Sequence, residues 1–182
     1  DTSTNDTLAI MASGLAGNEP ITEKNEDYKI FVAGLTEAFK SLAKQLAGDG
    51  EGATALFETT VINAASREDA RTLAKSVICS SLTKAAIFGH DANWGRILCA
   101  LGYAGVEFDP ENIELFFQGE NGTIQIFKDG VACDYSEEEA SKILAEPEVR
   151  ILVDMKSGEE EACAWGCEKK KEKKKINADY RS

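Results

Sequence analysis

The chain has 182 residues, 43% of them hydrophobic and 29% charged, enough to bury a core as one larger or two smaller globular units and too apolar for disorder. Its net charge of −12 argues against nucleic acid and against anionic membrane, because phosphates need a basic surface. No run of eighteen apolar residues occurs and the start lacks a basic n-region, so neither a membrane-spanning helix nor a secretory signal is expected, and the expected compartment is the cytoplasm.

In chain order, Asp1-Thr2-Ser3-Thr4-Asn5-Asp6-Thr7 is a run of short polar side chains followed by Leu8-Ala9-Ile10-Met11-Ala12. Such side chains favour helix N-termini, so a capped helix over 7–15 is expected, with the wall of an active site as the functional alternative. Gly17-Asn18-Glu19-Pro20 breaks the chain. From Glu23 onward Phe31, Leu35, Phe39, Leu42 and Leu46 recur at helical spacing and predict a long amphipathic helix ending at Gly48.

The stretch Gly48-Asp49-Gly50-Glu51-Gly52-Ala53-Thr54 follows. Three glycines in five residues let the backbone take positive φ and approach a ligand closely, with Glu51 as the long side chain able to contact it. A carboxylate placed there suits a small cationic ligand; the structural alternative is a helix C-cap and tight turn whose acids face water. The spacing matches neither GxGxxG nor a P-loop, so a phosphate cradle is not expected.

Residues 55–63, rich in β-branched and aromatic types, predict a strand. Ser66 with acids behind it starts a helix running to about Ala86, with Ala70, Leu73, Ala74, Val77, Ile78 and Leu82 as its apolar stripe. His90, in the loop that follows, is the chain's one histidine, the residue type suited to general-base work near neutral pH, yet no serine nucleophile accompanies it. A loop histidine of this kind is read as structural, and Trp94 and Arg96 as packing and pairing residues. Ile97, Leu98, Leu101 and Tyr103 predict a helix closing at Gly105.

From Asn112 the period changes to two. Residues 113–117 and 123–127 predict a hairpin around Gly119-Glu120-Asn121-Gly122, and Ser136 with Glu139 opens a short helix ending before Pro147. Residues 149–155 and 160–165 alternate around Lys156-Ser157-Gly158-Glu159 and predict a second hairpin, giving this half an α+β character with an antiparallel sheet. Cys79, Cys99, Cys133, Cys163 and Cys167 show no paired CxxC spacing and are read as reduced, mostly buried thiols; with one histidine, no metal site is expected. The stretch 168–175, six lysines and two glutamates, is a +4 island beside fourteen basic and thirty acidic residues elsewhere, and reads as solvated.

Five motifs then add up. Asp1-Thr2-Ser3-Thr4-Asn5-Asp6, Asp49-Gly50-Glu51-Gly52-Ala53-Thr54, Asn93-Trp94-Gly95-Arg96-Ile97, Ala164-Trp165-Gly166-Cys167 and Lys175-Ile176-Asn177-Ala178-Asp179-Tyr180-Arg181-Ser182 occur in the order seen in ornithine acetyltransferase, the glutamate N-acetyltransferase of arginine biosynthesis. Across nearly its whole length the chain resembles most of that enzyme's β subunit.

The resemblance implies an α/β N-terminal-nucleophile-like layered core, to which residues 1–66 contribute, joined to an α+β C-terminal domain at 67–182 whose tail returns to the site. It implies a self-processing enzyme whose nucleophilic threonine, made the first residue of the β chain by cleavage, lies upstream of this sequence, so that no catalytic residue is expected within it. Thr2, Thr4 and Thr7 belong to the polar motif downstream of that threonine. Glu51, Asn177 and Ser182 match the family's substrate-binding positions.

Implied partners are an α chain, which carries the oxyanion donors, and the missing N-terminal β segment, in an α2β2 assembly, with N-acetylornithine and glutamate as substrates. No cofactor is implied, acetyl-CoA being a possible second donor. Two departures stand out: Ala55 occupies a position that is usually lysine, and the lysine-rich island replaces a mixed strand. The competing expectation is a non-catalytic β-like fragment acting as a binding or assembly module.

Overall fold

The alternation of Phe57, Thr59 and Val61 with Leu56, Glu58, Thr60 and Ile62 gives β1 (Leu56–Ala64) one fully buried face and one half-buried face. A strand of that kind needs cover on one side and neighbours on both edges. In the computed structural model, which describes residues 7–50 and 55–168, β1 has both: it is an interior strand of a six-stranded sheet.

The chain divides into two units, Asp1–Leu46 and Ala47–Ser182. In the first, residues 7–25 are irregular and α1 (Glu26–Gly48) follows. The helix expected over 7–15 does not form. Leu8, Ile10, Met11 and Leu15 are all exposed, so no packing offsets the entropy of nucleating so short a helix. Asn25 moves the start of α1 past Glu23, its Oδ1 accepting the Tyr28 N–H at 3.0 Å. α1 itself has no buried residue.

In the second unit the remaining elements are α2 (Arg67–Cys79), α3 (Ser81–Phe88), α4 (Trp94–Gly102), β2 (Glu114–Gly119), β3 (Gly122–Lys128), β4 (Val131–Ala132), α5 (Glu137–Leu144), β5 (Glu148–Asp154) and β6 (Glu160–Cys167). Strand order is β4-β3-β2-β5-β1-β6. Ala70, Leu73, Ala74 and Val77 of α2 and Ala140, Ile143 and Leu144 of α5 join Phe57, Val61, Leu115, Phe117, Ile151 and Val153 in one core on one face of the sheet. Leu56, Ile62, Phe116, Leu152 and Trp165 lie half-buried on the other strand face.

The mixed α/β architecture expected from the sequence is present, with antiparallel hairpins at β2–β3 and β3–β4. Two expectations need correction. The single helix over 66–86 is two, because Ser80 is extended (φ −65°, ψ 116°) and its hydroxyl oxygen accepts the Thr83 N–H at 3.2 Å. The break turns Ala86 and Ile87 into the core and leaves Leu82 exposed.

Residues 149–155 and 160–165 are not a hairpin. β1 lies between them, parallel to β5 and antiparallel to β6, so the sheet is mixed. Their connection instead wraps the end of β1: Met155 N–H donates to Ile62 O, and the Ser157 and Gly158 N–H groups donate to Asn63 O. For the same reason residues 56–64 share one sheet with the C-terminal strands.

Two carboxylates fasten the connections. Glu146, 7% exposed, accepts the Glu120 N–H at 2.5 Å, the Asn121 N–H at 3.0 Å and the Asn121 side-chain amide at 2.8 Å, which closes the β2–β3 turn. Burial pushes its carboxyl up, but these donors outweigh burial and hold it below its ordinary value. Asp154 accepts from Asn63 Nδ2 at 2.8 Å and faces Lys156 Nζ at 2.9 Å. Burial again raises it, and the hydrogen bonds and charge of Lys156 with the amide of Asn63 bring it below its ordinary value.

A carboxylate with a lowered folded pKa stabilises the fold above its unfolded pKa and stops doing so as pH falls through the folded value. The urea midpoint is therefore expected to decline as pH falls below about 4, and Glu146→Gln to flatten part of that decline; an unaltered pH slope in the variant refutes the assignment. Gly158 offers a second check. A Cβ there would fall 2.2 Å from Ala64 O, so Gly158→Ala should cost about 2 kcal/mol or more by urea unfolding, whereas Gly102→Ala, in open space at the end of α4, should be neutral or stabilising.

Candidate functional site

Glu51, Asn177 and Ser182 lie outside the described residues. What the structure does place is the chain on either side of them. Because β1 and β6 are antiparallel, the start of one meets the end of the other: Leu56 pairs with Cys167, and also with Glu148 of β5. Leu56 N–H donates to Pro147 O at 2.9 Å, and Ala55 N–H donates to Glu168 Oε2 at 2.9 Å. Glu168 is 2% exposed.

The exit of the glycine-rich stretch and the root of the C-terminal tail are thus hydrogen-bonded to each other. At about 3.6 Å per residue, the four steps from Ala55 to Glu51 span at most about 14 Å, and the nine from Glu168 to Asn177 about 32 Å. Covalent reach allows the two expected substrate-binding positions to meet.

Nearby acids are already committed. Glu58 accepts from Arg150 Nε at 2.8 Å, Thr60 Oγ1 at 2.7 Å and Trp165 Nε1 at 2.6 Å. A carboxylate with those donors is a poor receptor for a substrate ammonium group. The motif residue Trp165 therefore has a structural task on the sheet face opposite the core.

The structure places His90, Trp94 and Arg96 around the α3–α4 connection. His90 sits just after α3 at φ 50°, exposed, its N–H donating to Ile87 O. Among the described residues its imidazole has no hydrogen-bond partner. Trp94 stacks on Phe127 with ring centroids 5.4 Å apart, and Arg96 Nη1 donates to Leu82 O at 3.1 Å. The Asn93 side chain caps α4 through the Arg96 N–H, so that helix starts three residues before Ile97.

None of the five cysteines is in a disulfide; Cys167 is buried but Cys79 and Cys99 are exposed, which corrects the expectation of mostly buried thiols. Both lie at the outward positions of their helices. Along α2 runs an open groove of about 480 Å³ lined by Arg67, Glu68, Arg71, Thr72 and Lys75. Its cations suit an anion rather than an ammonium group, and no sequence-predicted site residue lines it. Sequence reading missed Glu168, absorbed into the lysine-rich island; the available signal was an acid directly after the Ala162-Cys163-Ala164-Trp165-Gly166-Cys167 run.

Comparison with known proteins supplies the remaining context. The model of the ArgJ family matches residues 1–182. Similar curated relatives include the arginine biosynthesis bifunctional proteins ArgJ of Thermotoga neapolitana, 44% identical over 182 residues, and of Symbiobacterium thermophilum, 45% identical over 182 residues. All of this chain is covered in both, but only 46% and 44% of the relatives, so the chain spans less than half their length. A crystal structure of arginine biosynthesis bifunctional protein ArgJ from Bacillus halodurans matches with a TM-score of 0.88 and 44% identity, over 99% of this chain and 83% of that one.

The φ of His90 gives a direct test of its role. His90→Gly should leave the unfolding free energy from urea titration unchanged or raise it by up to about 1 kcal/mol, since glycine takes that backbone conformation freely. A catalytic loss in a folded His90→Gly protein would show that the imidazole acts chemically.

Proposed function

Because the chain belongs to the ArgJ family, we propose that it is the substrate-holding part of a glutamate N-acetyltransferase of arginine biosynthesis, with the nucleophile on polypeptide outside this sequence. On this reading a threonine hydroxyl of an N-terminal-nucleophile core attacks the acetyl carbonyl of N-acetylornithine. An acetyl ester forms, the C–N bond breaks, and ornithine leaves with the hydroxyl's proton on its amine. The amine of glutamate then attacks the ester, loses a proton and regenerates the threonine. A covalent intermediate divides one difficult transfer into two easier ones, and the amide formed matches the amide consumed in energy.

In this scheme Glu51 receives the substrate's ammonium group, while Asn177 and Ser182 hydrogen-bond its amino-acid portion. The observation that carries the reading is the Ala55–Glu168 hydrogen bond, which joins the segment after Glu51 to the segment before Asn177. The comparisons lend support too: the solved chain is covered to 83% and the curated relatives to 44–46%, so that chain is about half as long as they are, in keeping with a protein that works as more than one chain. The partners are then an α chain and the segment carrying the nucleophile, in an α2β2 assembly. No cofactor is needed for the ornithine-to-glutamate transfer, and acetyl-CoA would be a second donor.

The test is Glu51→Ala in the assembled enzyme. KM for N-acetylornithine should rise about tenfold or more, the scale of a lost charge-assisted contact of roughly 1.4 kcal/mol or greater, with kcat less affected. An unchanged KM removes Glu51 from the site. Mixing the chain with the remaining family polypeptide and assaying acetyl transfer separates this function from that of a non-catalytic assembly module, since a decoy subunit would bind without restoring activity.

A further inference from the structure

We propose that the apolar stripe of α1 is the docking surface for a broad apolar face, of the kind an uncovered sheet presents, on the part of the ArgJ polypeptide that lies outside this chain. The proposal rests on the partner reading above but not on the role given to Glu51. Tyr28, Val32, Leu35, Phe39, Leu42 and Leu46 follow one another at alternating spacings of four and three residues, a seven-residue repeat that lines one side of the helix. At 1.5 Å per residue the stripe is about 27 Å long. None of it is buried: Val32, Leu42 and Leu46 are exposed, as is Phe31 beside them at 57%. Such a helix lacks the packing from which most helices draw their stability.

What flanks the stripe decides the kind of partner. In a two-helix seam the positions on either side carry charges. Here they are Lys29, Thr36 and Ala43 on one side and Phe31, Ala38 and Gln45 on the other, and the one charge among them is paired with Glu26. Glu26, Glu37, Lys40 and Lys44 fall on the far side of the helix. The contact face is therefore wide and neutral, which suits a flat apolar layer rather than a second copy of the helix.

The stretches of this chain outside the described residues, 1–6, 51–54 and 169–182, hold Ile176 and Tyr180 as their only large apolar side chains, too few to cover the stripe. More than half the length of the Thermotoga neapolitana and Symbiobacterium thermophilum relatives lies outside the match, ample chain for such a layer.

Amide exchange and association test this together. Amides of α1 should exchange readily in the chain alone and slow about a hundredfold or more when the remaining family polypeptide is added, while those of α2 are protected in both states. Leu35→Asp and Phe39→Asp should each weaken the association about a hundredfold, and the far-side variant Lys40→Ala should leave it within about twofold. Both Asp variants should keep the urea unfolding of the second unit, since neither residue belongs to its core.

Equal association of the wild-type chain and both Asp variants overturns the α1 surface and leaves the partner reading standing. No association of the wild-type chain overturns both. Protection of α1 in the chain alone also overturns the proposal: protection that grows with concentration makes a second copy the occupant, and protection that does not means that the chain covers its own stripe.

Discussion

An antiparallel pair sets the beginning of one strand beside the end of the other, and the β1–β6 pair does this for the two stretches that carry the proposed substrate-binding residues. The glycine-rich segment runs into β1 and the C-terminal tail runs out of β6, so both leave the sheet at one corner, with β5 entering beside them. Neither segment has to be long to reach the other. The rest of the second unit supports that corner: α2 and α5 cover the core face, and the wrap of residues 155–158 around the end of β1 holds the strand at its opposite end.

A chain of net charge −12 could be expected to keep its acids in water, yet several of them hold the backbone. Glu146 closes the β2–β3 turn, Asp154 ties Asn63 to the β5–β6 connection, and Glu168 ties Ala55 to β6. In each case a residue late in the sequence grips an earlier one through directed N–H donors. The contacts of Glu146 cost less than a buried charge pair, because its donors are neutral dipoles already fixed by the fold.

Much of this was legible from local pattern. The period-two run of β1, the Gly119–Gly122 hairpin and the Ser136 cap all rest on residues within a few positions of one another, and all were found. What escaped depends on distant partners. Nothing around Lys156 and Gly158 announces that β1 will lie between β5 and β6, because that pairing is chosen by burial on the sheet rather than by the turn. Ser80 splits a helix whose apolar stripe looks continuous, since a hydroxyl can cap as easily as it can sit in a helical turn. The polar start over 7–15 carries helix-capping residues, but nothing packs on it to make a helix form. As for the candidate site, the sequence motif marks Glu51, while Glu168 became visible only once the strands were paired.

The interior place of β1 also governs the order in which the protein can be made. Its contacts with β5 and β6 join residues 91 and 107 positions apart, so a growing polypeptide carries this strand with both edges open until β5 and β6 emerge. Over that interval synthesis holds a hydrophobic, unpaired ribbon in solution, and aggregation competes with folding.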